Sequence, residues 1–159
     1  MARADAHSQA KRLQRAREVL ADAGAAAPSE LVDAARAAES NSHHPHSGLA
    51  VGAALVFDDG SLFCGTNVES ASYGLTQCAE RVAIGSAVTA GRRHLLLVVI
   101  TSSAEQVLPP CGACRQVLAE FGPQAVVFSV APTGHQRRWS MGELLPDTFS
   151  SADLERHRE

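Results

Sequence analysis

The sequence predicts an α/β fold, a three-layer α/β/α sandwich built on a mixed five-stranded sheet. Three observations carry this expectation. Residues 95–100 are six apolar side chains in a row, as in a central strand covered on both faces. Two strand-like runs, 51–57 and 61–68, flank Asp59-Gly60, a two-residue hairpin signal that makes the first pair antiparallel. Helical segments separate the later strands, which implies parallel pairing through right-handed crossovers.

Taken in order, residues 2–27 are rich in Ala, Arg, Asp and Glu, with large apolar side chains only at Leu13, Val19 and Leu20. They predict a helix of high propensity and little core face. The run from Gly24 to Pro28 breaks it, so residues 1–28 are expected to be a helical extension and 29–159 the single folded domain. Ser29 is a suitable N-cap for a helix whose apolar face is Leu31, Val32, Ala34, Ala35 and Ala38, ending near Ser40. A polar loop, 41–48, precedes the hairpin. A helix fits 77–90, stopped by Gly91 and two arginines, and another fits 111–121, stopped by Gly122-Pro123. Residues 125–130 read as a strand, 132–134 as a turn, 137–141 as a last strand and 142–145 as a helical turn.

Composition excludes several classes of function. An apolar share of 45% and a charged share of 19% fit a globular chain. Fourteen Lys and Arg against seventeen Asp and Glu leave a net charge of −3, without the basic excess of a nucleic-acid binder. No stretch of about 18 uncharged apolar residues is present to span a membrane, and the charged start, 1–17, does not resemble a secretory signal. A cytoplasmic location follows as the expectation. There, four cysteines are expected to bind metal or do chemistry and not to pair as disulfides.

Their spacing is specific. Cys78-Ala79-Glu80-Arg81 and Pro110-Cys111-Gly112-Ala113-Cys114-Arg115 each fall at the first turn of an expected helix, where free N–H groups and the helix dipole stabilise thiolates. Three thiolates from two helix starts make a tetrahedral Zn²⁺ site with one corner open, the catalytic arrangement; structural sites close with a fourth ligand. Glu80, two residues beyond a ligand, is the candidate acid–base group for a water at that corner. Zinc deaminases combine a ligand, one spacer and Glu with Pro-Cys-x-x-Cys in this way. Zn²⁺ with three thiolates sums to 2 − 3 = −1, so a cation near the sulfurs is needed to restore the water's acidity. Arg81 and Arg115 are the candidates. His43, His44 and His46 read as a polar loop, Cys64 as a small buried apolar residue, and His7, His94, His135 and His157 as surface residues.

Over roughly residues 29–154 the chain resembles the small, homotetrameric, zinc-dependent cytidine deaminases of pyrimidine salvage. The resemblance is carried by Val51-Gly52-Ala53-Ala54, by the run from Gly65 to Tyr73, by the two cysteine segments just quoted, and by Glu143-Leu144-Leu145-Pro146 with Phe149. It implies a cytidine deaminase-like catalytic domain acting on cytidine and 2′-deoxycytidine with release of ammonia. It also implies that Asn67 and Glu69 hold the ribose hydroxyls and that the backbone at Ala79 helps read the base. Tyr73 and Phe149 correspond to aromatics that line a neighbouring subunit's site. One segment departs from the family pattern: His46 and Leu49 stand where it has Tyr and a Phe that packs on the cytosine ring. That departure raises an alternative, the same chemistry on a modified cytosine nucleoside such as blasticidin S. A non-catalytic zinc-stabilised oligomer is a further alternative, for which Glu80 discriminates. Partners expected are a small-molecule nucleoside and further copies of the chain, with neither nucleic acid nor membrane.

Overall fold

Alternation along β1, Val51–Phe57, divides the interior of the domain into two cores. Ala53, Leu55 and Phe57 point to one side of the sheet and Ala54 and Val56 to the other, as the two-residue period of a strand requires. In the computed structural model, which describes residues 24–155 together with Gln14, Glu18 and Ala21, both sides are covered by helices. The helix expected over 2–27 otherwise lies outside the described residues, as do His7 and His157. Ala27 is tied down by its N–H, which donates to Gln136 Oε1 at 2.9 Å.

The elements run α1 (Ser29–Glu39), β1, β2 (Leu62–Thr66), a 3₁₀ turn (Tyr73–Leu75), α2 (Ala79–Thr89), β3 (Leu95–Ser102), α3 (Gly112–Phe121), β4 (Val126–Val130), β5 (Gln136–Ser140), α4 (Met141–Leu144) and α5 (Ser151–Glu155). The sheet has the order β2-β1-β3-β4-β5. β1 is antiparallel to both β2 and β3, β3 and β4 are parallel, and β5 returns antiparallel to β4. The mixed five-stranded α/β sandwich is therefore as expected, with β3 at its centre. Two local expectations are corrected. Pro28 and not Ser29 is the N-cap of α1, with no side-chain cap bond. The hairpin connection is three residues, not two: Phe57 N–H donates to Ser61 O at 3.0 Å and Gly60, at φ +78°, supplies the left-handed step.

α1 packs on Ala54, Val56, Leu97, Val99, Phe128 and Val130 through Leu31 and Ala35. Its Arg36 reaches the carbonyls of Ser102 and Val130, both at 3.1 Å, at the carboxyl ends of β3 and β4. On the other face α2 and α3 bury Ala79, Ala83, Ile84, Ala87, Leu118 and Ala119 against Leu55, Val98, Ile100 and Val127. The exposed side of α2 is Gly85, Ser86 and Thr89, so the apolar character of this helix is spent within the chain. Cys64 corrects another expectation, for it is exposed: β2 is an edge strand whose outward positions Leu62 and Cys64 remain uncovered.

Close approach of helix to strand sets where α2 sits. A Cβ built on Gly65 would lie 2.3 Å from Ala79 O and 2.6 Å from Ala83 N, both backbone atoms of the helix. Gly65→Ala is expected to lower Tm by roughly 5–10 °C, since overpacking costs about 1–3 kcal/mol or more where backbone must move. Gly85→Ala, on the open side of the same helix with nothing within 4 Å, is expected to leave Tm unchanged or raise it. Thermal unfolding of the two variants followed by circular dichroism checks the contrast; a Gly65→Ala protein as stable as wild type would show that the helix can slide.

Candidate active site

Cys78 is the N-cap of α2 and Cys111 the N-cap of α3, while Cys114 lies in the first turn of α3. Neither N-cap side chain makes a capping bond, so both sulfurs are left facing the gap between the helix starts. The three Sγ atoms lie within 4.8 Å of one another. Cys78 and Cys111 are 3.7 Å apart, close to the edge of about 3.8 Å expected of a tetrahedron with metal–sulfur bonds near 2.3 Å. The donor set therefore fits one zinc ion. Among the described residues no other group of His, Cys, Asp or Glu is gathered this way, and the histidines of the 43–46 loop do not join it.

Cys78 and Cys114 do not titrate alike. A hydrogen bond from Cys114 is the largest influence pulling the Cys78 thiol down to about 5, with Cys111 and Arg81 adding to it against burial. Cys114 moves up for the same reason, as the partner in that bond, and burial adds to the rise. Arg81 supplies the expected cation: its Nη2 is 3.9 Å from Cys78 Sγ and 2.7 Å from the Thr76 carbonyl it donates to. Arg115 does not. Its guanidinium donates to the carbonyls of Pro110 and Leu144, at 2.8 and 3.1 Å, and pins the start of α3 to α4.

Glu80 sits in the first turn of α2 and is 4% exposed. Burial raises its pKa, and the negative charge on Cys78 raises it further; its own backbone N–H, Cys114 and Arg81 oppose. A carboxyl poised above its ordinary range can both accept and return a proton near neutral pH.

Glu80 and Cys78 line a cavity of about 370 Å³, the size that small-molecule sites occupy. Asn67, Glu69, Ala79 and Leu49 line it too, so four of the expected substrate-binding residues converge on one space. Glu69 is held by the loop it faces. Its Oε2 accepts from the backbone N–H of His46 (2.7 Å) and Ser47 (3.1 Å), and its Oε1 from the Ser47 hydroxyl. The Ser47 hydroxyl bond, chief among these, keeps the carboxyl below its usual range and therefore ionised.

Tyr73, 76% exposed, lies outside this cavity, in an adjoining hollow that also holds His46, Ser47, Glu69 and Thr76. Its ring meets His46 edge-on with centroids 5.6 Å apart. Phe149, 58% exposed, is on a separate groove beside α3, where Gln116 donates to its carbonyl at 2.7 Å. Within one chain it does not reach the cavity. The sequence reading missed the apolar wall formed by Ile100, Leu108 and Pro109. Pro109-Pro110 before Cys111 was the available signal, a rigid lead-in that presses its neighbours toward the cysteine.

Residues 26–130 match the family described as the cytidine and deoxycytidylate deaminase zinc-binding region. The cytidine deaminase of Halalkalibacterium halodurans is 41% identical over 125 residues, covering 78% of this chain and 95% of that one. A probable cytidine deaminase of Dictyostelium discoideum is 43% identical over 126 residues, 79% of this chain and 85% of that one. The crystal structure of cytidine deaminase from Burkholderia pseudomallei superposes with a TM-score of 0.73 at 45% identity, covering 76% of this chain and 98% of that one. Likeness that extends along nearly the whole of such relatives, and a family match whose residues take in both cysteine segments, make this chain a member of the cytidine and deoxycytidylate deaminase family.

Proposed function

We propose that the chain, through its 29–159 domain, converts cytidine and 2′-deoxycytidine to uridine and 2′-deoxyuridine, consuming one water and releasing one ammonia. The observation that carries this reading is Glu80: a nearly buried carboxyl that lines a nucleoside-sized cavity together with Cys78 and Cys111, two of the three gathered cysteines. A structural metal site has no use for such a group. When bound, zinc supplies a Lewis acid that makes water acidic enough to attack at neutral pH.

Glu80 takes the proton of the attacking water and delivers it to N3 of the base, which draws electrons from C4 as the oxygen adds there. It then takes the remaining proton from the added oxygen and passes it to the exocyclic amine, and the C4–N bond breaks to release ammonia as the C4=O bond forms. Cys78, Cys111 and Cys114 hold the zinc, and Arg81 offsets their negative charge. Ala79, fully buried at the first position of α2, offers a backbone N–H that the helix itself does not use. Asn67 and Glu69 hold the ribose hydroxyls. Leu49 covers the base without the ring stacking an aromatic would add.

Further copies of the chain complete the enzyme as a homotetramer in this reading, acting in the cytoplasm. Support comes from the exposed apolar side chains Tyr73, Leu75, Phe149 and Leu154, two of them aromatics that the resemblance assigns to a neighbouring site. Among the described residues no helix is long and apolar enough to cross a membrane.

Three tests follow. Glu80→Gln should keep one zinc per chain and the wild-type Tm while kcat falls by about 10²–10⁴, whereas Cys111→Ala should lose most of the metal; metal analysis and ammonia release read both. Near-normal turnover in Glu80→Gln would remove that carboxyl from the chemistry. Leu49→Phe should lower KM for cytidine by about two- to tenfold, the worth of a stacked ring. If instead the change slows cytidine and a base-modified nucleoside together, the pocket has been shaped for the bulkier substrate. Light scattering of the active protein should give four chains per particle, and a fully active monomer would refute the shared sites.

A further inference from the structure

We infer that Ser42 and His44 are positioning residues that commit Asn67 to act as a hydrogen-bond donor toward a ribose hydroxyl, an inference that rests on the deaminase reading above. The Asn67 Oδ1 accepts from Val51 N–H at 2.9 Å and from the Ser42 hydroxyl at 2.5 Å. A carbonyl oxygen has two lone pairs, and both are filled. Ser42 has one hydroxyl proton and spends it on an atom that only accepts. Its 2.9 Å contact with His44 Nδ1 therefore runs the other way, with the imidazole N–H donating to Ser42 Oγ. The chain of bonds from His44 through Ser42 to Asn67 has a single direction.

That direction decides what Asn67 offers a ligand. Nδ2 gives one hydrogen to the Leu49 carbonyl at 2.8 Å. Among the described residues its second hydrogen meets no acceptor, and Asn67 lines the cavity at 8% exposure. Backbone pairing keeps the arrangement in place: His43 N–H donates to Asn67 O at 3.1 Å and Glu69 N–H to His43 O at 2.8 Å. Ser42 and His44 thus flank a residue that is zipped to the end of β2. A ligand group facing Asn67 must accept a hydrogen bond, and one that also faces Glu69, an ionised acceptor, must donate. A hydroxyl does both. A hydrogen in its place does neither, so the relay from His44 sharpens the choice of hydroxyl over deoxy sugar.

The test compares cytidine, 2′-deoxycytidine and 3′-deoxycytidine in wild type, Ser42→Ala, Ser42→Thr and His44→Ala, with zinc content and circular dichroism measured alongside. Ser42→Ala should raise KM for cytidine about three- to tenfold, leave kcat within about twofold, and shrink by the same factor the preference for cytidine over the deoxy analogue that wild type rejects more strongly. Ser42→Thr, which keeps the hydroxyl, should restore both, and His44→Ala should move both in the direction of Ser42→Ala by less. Should Ser42→Ala fail to fold, His44→Ala against His44→Gln, whose side-chain amide restores a donor, carries the same comparison. Unchanged KM and preference in these variants would overturn the inference. So would a KM raised equally for all three nucleosides, which marks a merely structural loop, or a wild type that does not discriminate among them. A wild-type protein that releases no ammonia from any of them would overturn the deaminase reading itself, and this inference with it.

Discussion

Helices α2 and α3 begin next to one another because the strands preceding them, β2 and β3, run in the same direction on either side of β1. Each chain segment leaves the sheet at the same end and turns back as a helix, so two N-termini converge. Their free N–H groups and dipoles favour negative charge at one place. Cysteine is a poor N-cap compared with serine or aspartate, a substitution that typically costs a helix about 1 kcal/mol. Here two helices accept it at once. Tertiary burial along Ala79, Ala83, Ala87 and Leu118 supplies the stability that capping would have added, and frees the sulfurs for the gap between the helices.

The same end of the sheet also receives the start of β1, which explains why the loop before it forms the mouth of the cavity. Gly52 lets α1 approach β1 as closely as Gly65 lets α2 approach β2: a Cβ there would stand 1.9 Å from Ala35 O. With both helices seated directly on backbone, the sheet end has little freedom to splay, and the loop between α1 and β1 starts and finishes at fixed points. Arg36 strengthens this by joining the ends of β3 and β4 from above.

Much of this was legible in the sequence where a signal is local. The apolar run at 95–100 was a buried central strand, the cysteine segments marked helix starts, and Cys78, Glu80, Cys111 and Cys114 came together as their spacing required. What escaped was settled by contacts distant in the chain. Arg115, one residue beyond a cysteine, is the weaker candidate beside Arg81, and Leu144, 29 residues away, accepts from its guanidinium. Cys64 has the composition of a core residue, but burial depends on which strand lies at the edge, and no side chain in the hairpin announces that. Asn67 and Glu69 look like loop polars until the 42–51 segment folds across them and uses most of their hydrogen-bonding capacity. Phe149 and Tyr73 are exposed in one chain and lie outside the cavity, and nothing local in the sequence gives their place.

The side chains of Glu69 and Asn67 grip the 42–51 segment at four backbone groups and two hydroxyls, and Leu49 is carried on that segment. In the proposed reading, sugar recognition and base coverage therefore share one mechanical part. In that reading the two specificities are epistatic in evolutionary terms. Substitutions at 46–49 and at 67–69 touch common partners, and their effects will not add. A lineage that changes the residue over the base must retune the sugar clamp in step, or reach the new pocket through intermediates that hold neither half of the nucleoside well. His46 and Leu49, which stand where the resemblance puts Tyr and Phe, both belong to the segment that Glu69 and Asn67 hold by its backbone.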